Sequence, residues 1–221
     1  MTVSALRNIN SEKEKTGSAI LIIWYFMSML GLPLLLPDIF MTDFFDYFTY
    51  ITVFILSIIV FKDRIIRDFQ VIKNHKKQYA RWYIPRFIII RILYYVVSVA
   101  ALYLGGKYAS ENQESVESLK AVEMILITCI YGPFVEECVF RGAFRKYIKK
   151  DWLFILVSGL VFGALHVVGE KTVSDFLSLG AMYVFEGCAL AWLYVKSNNF
   201  HTNYFYHFFF NTFACIKILL G

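Results

Sequence analysis

Two adjacent glutamates, Glu136 and Glu137, interrupt an otherwise apolar stretch, and Arg141 follows four residues after the second. Two further apolar segments each carry a histidine, His166 and His207, and Asn211 lies four residues beyond the latter. Burying acids and histidines in hydrocarbon is costly, so those retained there are candidates for function. A carboxylate can take a proton from water, an imidazole can assist, and an amide can donate to a developing oxyanion. Together these residue types point to water-activating hydrolysis inside a membrane.

Helical spacing divides the roles. Glu137 and Arg141 stand at i and i+4 with the acid first, the favourable order for an ion pair. Glu136 projects about 100° away on the same helix and is left free for chemistry. For Glu137 and Arg141 alone, a plain ion pair at a helix end is an equal reading. His207 and Asn211 are also i and i+4 and share one face. Phe162 stands four residues before His166, where its ring walls the site or fixes the imidazole rotamer.

The elements that must carry these residues follow from composition. The chain has 221 residues, 58% hydrophobic and 19% aromatic. Soluble domains hold about 45–50% apolar residues, and here the excess falls in blocks long enough to cross a bilayer. The expected fold is all-α, a polytopic membrane bundle of about seven spans near 18–37, 45–61, 86–105, 121–143, 154–172, 175–195 and 202–220. Residues 1–221 read as a single integral membrane domain, and 120–214 as its catalytic core. The first block is too long for a signal-peptide core and has no cleavage site after it, so it stays as a span.

Basic and non-basic connectors alternate. Arg7, Lys13 and Lys15 precede the first span, and the 37–44 connector has no Lys or Arg. Seven basic residues from Lys62 to Arg81 follow the second, with Arg86 at the edge of the third. The 106–120 connector is acidic, the turn after the fourth span holds Arg145, Lys146, Lys149 and Lys150, and the last two connectors have only Lys171 and Lys196. The positive-inside rule then puts the N-terminus in the cytoplasm and the C-terminus outside. Apolar residues among the charges of 62–86 suggest an amphipathic helix on the cytoplasmic surface. The net charge of +5 is explained by this topology and does not indicate nucleic acid. Four cysteines, Cys129, Cys138, Cys188 and Cys215, lie in apolar blocks without CxxC spacing, which argues for helix packing rather than disulfides or a cysteine metal site.

The fourth and fifth spans make a hairpin whose turn falls near Lys149–Asp151. Glu136 lies about 14–15 residues before that turn and His166 about 15–16 after it, so both stand roughly 22 Å from it at one level. The pair is expected in the cytoplasmic half of the bilayer. If the last span enters from the cytoplasm near Thr202, His207 and Asn211 reach a compatible depth.

Three motifs stand in order on these segments: Glu136-Glu137-Cys138-Val139-Phe140-Arg141 as EExxxR, Phe162-Gly163-Ala164-Leu165-His166 as FxxxH, and His207-Phe208-Phe209-Phe210-Asn211 as HxxxN. In that order they resemble the CPBP family of intramembrane proteases, which includes the type II CAAX prenyl endopeptidases and bacterial bacteriocin-processing or immunity proteins. The resemblance covers residues 120–214; the first three spans match only in being hydrophobic. It implies a membrane cavity open to the cytoplasm, with Glu136 and His166 activating water and His207 and Asn211 binding the oxyanion. No serine or cysteine, Ser158 included, is placed by motif beside the histidines.

Zinc is the competing mechanism, with Glu136, His166 and His207 as ligands of a known catalytic type. Against it stand the absence of HExxH and ligands drawn from three separate helices, so no cofactor is expected. Glu186, in the sixth span, either lines the cavity or bonds a neighbouring helix. Glu123 and Lys217 reach the interfaces, and His201 is expected in solvent. The expected substrate is a hydrophobic or membrane-bound peptide, the expected location a bacterial plasma membrane, and the expected context bacteriocin immunity or peptide maturation rather than CAAX processing. A non-catalytic immunity or scaffold protein is the alternative. A proton-coupled transporter is disfavoured by the absence of paired, interrupted helices in two repeated halves.

Overall fold

The structure, a computed structural model, describes residues 3–31, 43–103 and 110–220. The expected end of the first span, most of the 37–44 connector and Lys107 lie outside the described residues. The protein is an all-α membrane helical bundle, with eight helices and no strand among the described residues. They are α1 (Val3–Phe26, continued as one π-helical turn, Met27–Gly31), α2 (Asp43–Asn74), α3 (Lys76–Tyr103), α4 (Glu111–Glu117), α5 (residues 121–147), α6 (Asp151–His166), α7 (Val173–Ser197) and α8 (Phe200–Leu220). Three of them, α2, α3 and α7, are long and apolar enough by themselves to cross a membrane.

The basic stretch after the second expected span is not a separate surface helix. Residues 62–74 extend α2, a single turn residue at His75 follows, and α3 begins at Lys76. Continuing α2 satisfies the backbone inside one helix, and one face of the extension is used: Asp68 is buried against the start of α8.

Helix α5 is composite. Two π-helical segments, Ile125–Tyr131 and Glu137–Ala143, flank the short α-helical stretch Gly132–Glu136. The Gly132 amide bonds the Ile127 carbonyl, and that of Phe144 bonds Val139, each five residues back. Pro133 has no amide to donate, and the wider turn before it absorbs the missing bond. Such π-bulges are frequent at functional sites, and here one begins at Glu137.

The turn between α5 and α6 lies at residues 148–150, braced by an Arg145–Asp151 ion pair. Helix α6 is shorter than the expected 154–172 span and stops at His166. Its 16 residues rise about 24 Å, less than the ~30 Å hydrocarbon core. Val167 leaves the helical region, and a turn closed by Glu170 N–H to the Val167 carbonyl leads to α7. Thr172 caps α7 by accepting from the Asp175 amide at 3.1 Å.

Helices α6 and α7 pack backbone to backbone. A Cβ on Gly159 would meet the Cys188 amide nitrogen at 2.8 Å, one on Gly163 the Val184 nitrogen at 2.7 Å, and one on Gly187 the Gly159 Cα at 2.9 Å. Small residues four apart permit such close approach between membrane helices. A core of Leu21, Tyr25, Val53, Phe61, Phe140 and Phe162 ties α1 and α2 to this hairpin.

Candidate active site

Three helix ends aim the polar groups. Helix α8 starts immediately after the Asn198 cap of α7, which adopts the left-handed conformation (φ 46°) that Asn tolerates better than most residues. Its first amides are held from two directions. The Phe200 N–H donates to Asp68 Oδ2 at 2.9 Å, and Asn199 Oδ1 accepts from the Thr202 amide at 3.1 Å. A carboxylate at a helix N-terminus is favoured by the exposed amides and the dipole. This anchor sets the rotation of α8 and hence the face that carries His207 and Asn211. His201, expected in solvent, is instead half-buried, with Nε2 donating to the Ile65 carbonyl at 2.8 Å.

His207 is the hub. Its Nδ1 donates to Glu137 Oε1 at 3.1 Å, and its Nε2 lies 3.5 Å from Glu136 Oε2. Glu137 and Arg141 are both fully buried, with Arg141 Nε 3.4 Å from Glu137 Oε2. The guanidinium also donates to the Gly187 carbonyl at 3.1 Å and stacks 4.9 Å over the Phe162 ring. Glu137 therefore joins Arg141 to His207 and is more than a partner in a plain ion pair. Glu136 retains some access, with 18% of its side chain exposed.

His166, at the end of α6, is 2.8 Å from the Phe162 carbonyl through Nδ1. A carbonyl only accepts, so Nδ1 carries the proton, and in the neutral ring Nε2 is the free acceptor. The imidazole is clamped between Phe162 (4.3 Å between centroids) and Tyr183 of α7 (4.7 Å, stacked). Asn211 donates from Nδ2 to the Thr128 carbonyl at 2.8 Å, leaving its second N–H available.

Glu136, His166 and Asn211 line one cavity of about 210 Å³ together with Tyr25, Thr128 and Tyr131. Among the described residues no hydrogen bond or ion pair joins Glu136 to His166, and the space they share far exceeds the ~10–15 Å³ that a water needs. A second cavity of about 120 Å³ is lined by His166, His207 and Asn211 as well as Glu186. The two share Val116, Thr128, His166 and Asn211. All four candidate catalytic side chains thus border this pair of cavities.

Among the described residues, no group of three His, Cys, Asp or Glu side chains is gathered closely enough to hold a metal ion. Glu136, His166 and His207 border one site without forming such a cluster.

Sequence reasoning missed four contributors: Tyr183 against His166, the Gly187 carbonyl on Arg141, the Thr128 carbonyl on Asn211, and the Asp68–Asn199 anchor of α8. Tyr183 stands three residues before Glu186 in a span already marked as polar, so it was within reach of helical spacing. The others are backbone groups, or residues more than a hundred positions apart, and carry no local pattern.

Residues 118–213 match the family described as "Type II CAAX prenyl endopeptidase Rce1-like". A relative from Bacillus subtilis (strain 168), described as "Putative membrane peptidase YdiL", is 30% identical over 132 residues, covering 58% of this chain and 48% of the relative. The chain thus spans about half the length of that curated relative. No solved structure matches the chain. Residues 118–213, which hold each of the candidate residues, are thus similar to a type II CAAX prenyl endopeptidase-like family, and the relative found beside it is described as a membrane peptidase.

Proposed function

We propose that the chain is an intramembrane endopeptidase that hydrolyses hydrophobic or membrane-bound peptides with water activated by Glu136 and His166. The observation that carries this reading is the 210 Å³ cavity bordered by both side chains, which leaves room for a water between a carboxylate and a bare imidazole nitrogen. Glu136 takes the proton as the water attacks the scissile carbonyl. Glu136 then returns that proton to the leaving amine, which completes the hydrolysis. Asn211 and His207 donate to the oxyanion, and Glu137, held by Arg141, keeps the His207 ring oriented. No step is routed through a metal.

Similarity to a membrane-peptidase family together with the pattern of basic connectors supports a multi-pass protein of the bacterial plasma membrane, with its N-terminus in the cytoplasm. Bacteriocin immunity or maturation of a peptide signal is the context proposed.

The test is turnover of a quenched-fluorescence peptide library by purified protein in detergent, with and without a zinc chelator. Glu136→Gln should lower turnover about 10²–10⁴-fold, the range for loss of a general base, with unchanged helicity by circular dichroism. Chelation should leave the wild-type rate intact. A rate lost on chelation and restored by zinc would overturn the metal-free mechanism, and full activity in Glu136→Gln would overturn the assignment of the base.

A further inference from the structure

Glu186 is the polar group that this mechanism leaves unused. It lies on α7, is 96% buried (4% exposed), and its Oε1 accepts no hydrogen bond from the described residues. It lines the 120 Å³ cavity that His166, His207 and Asn211 also border. The remaining walls include four aromatic rings, Tyr94, Phe162, Tyr183 and Phe210. Leaving a buried acceptor without a partner is costly, so a ligand that brings a donor to this position would be held by it.

Charge balance gives the sign of that donor. Two carboxylates, Glu136 and Glu186, border the two cavities, and the nearby Arg141 is already engaged by Glu137. Arg91 lies 4.3 Å over the outer ring, Phe210, and among the described residues it forms no ion pair with Glu186. A carboxylate ringed by aromatic faces is the chemistry that binds an ammonium group, by charge and by cation–π attraction. Whole small-molecule ligands occupy about 300–1,000 Å³. At about 120 Å³ this space suits one extended side chain.

Building on the endopeptidase reading, we infer that the cavity bounded by Glu186 is a specificity pocket for a basic side chain, lysine foremost, flanking the scissile bond of the substrate. The reacting carbonyl would sit between the Glu136 and Glu186 cavities, beside His166 and Asn211, which border both. Glu186 is then a specificity-determining residue and takes no part in the chemical step.

The experiment compares peptides that differ only in lysine or its isostere norleucine at each position around the cleavage site. Wild type should favour lysine at one position by about tenfold or more in kcat/KM, as expected where a charged acceptor otherwise goes unpaired. In Glu186→Gln that ratio should fall to near one, and Glu186→Asp should restore part of it. A ratio cancels any general folding loss, because one enzyme preparation meets both peptides. The same peptides are also titrated by fluorescence anisotropy against Glu136→Gln and the Glu136→Gln/Glu186→Gln double variant. Preferential lysine binding that disappears in the double variant upholds the pocket even if no peptide is cut, in which case only the endopeptidase reading fails. Equal binding of lysine and norleucine peptides by Glu136→Gln, or a lysine preference that survives Glu186→Gln, overturns the pocket.

Discussion

Glu137 and Arg141 show how much of the site depends on single buried charges. Both are sealed from solvent, and each has partners on other helices: His207 on α8 for the acid, the Gly187 carbonyl on α7 and the Phe162 ring on α6 for the base. Removing either leaves an uncompensated buried charge, which costs about 3–5 kcal/mol. Arg141→Ala and Glu137→Ala should therefore both accumulate poorly in membranes and lose activity, unlike Glu136→Gln, whose parent side chain keeps some access to the cavity. Quantifying membrane-extracted protein and turnover for the three variants side by side checks this. Normal abundance and full activity of Glu137→Ala would show that His207 needs no orienting carboxylate.

At the scale of elements, the α6–α7 pair decides where His166 stands. Gly159, Gly163 and Gly187 let two backbones touch, and His166 follows Gly163 by less than one turn. In Gly163→Ala the added methyl would press on backbone atoms of Val184, which cannot move aside like the end of a flexible side chain. Overpacking of this kind costs about 1–3 kcal/mol. The helices should part and carry His166 away from Glu136. The expected result is a lower melting temperature in detergent together with a fall in kcat. Unaltered melting and turnover would mean that the pair tolerates a wider spacing and that His166 is held by Phe162 and Tyr183 alone.

Across the whole molecule, the polar site sits within a bundle whose outer faces are apolar, with Ile23, Ile59, Ile89, Val96 and Leu177 among many exposed hydrophobic side chains. Such a surface suits lipid rather than water. The basic 148–150 turn and the α2 extension should face the cytoplasm, and the 167–172 turn the opposite side. Single cysteines introduced at Lys149 and Lys171 should react with a membrane-impermeant maleimide from opposite faces of intact cells and inverted vesicles. Labelling of both from one face would overturn the topology and the cytoplasmic opening of the site.

The sequence by itself determined the helical class, the family resemblance and the order of the three motifs along the chain. These rest on local patterns: apolar run length, connector charge, and spacings of three and four that a helix turns into shared faces. Helix rise even matched the levels of Glu136 and His166 across the hairpin, because an antiparallel pair with a short turn has one free geometric parameter. Only the tertiary structure decided which groups touch. Glu136 and Glu137 both reach for His207, Tyr183 stacks on His166, and Glu186 lines a cavity that His166, His207 and Asn211 also border. Those contacts depend on how each helix is rotated about its axis, which π-bulges in α5, glycine contacts between α6 and α7, and the Asp68 anchor of α8 set together. Rotation is fixed by packing between segments far apart in the chain, and no local pattern of residues encodes it.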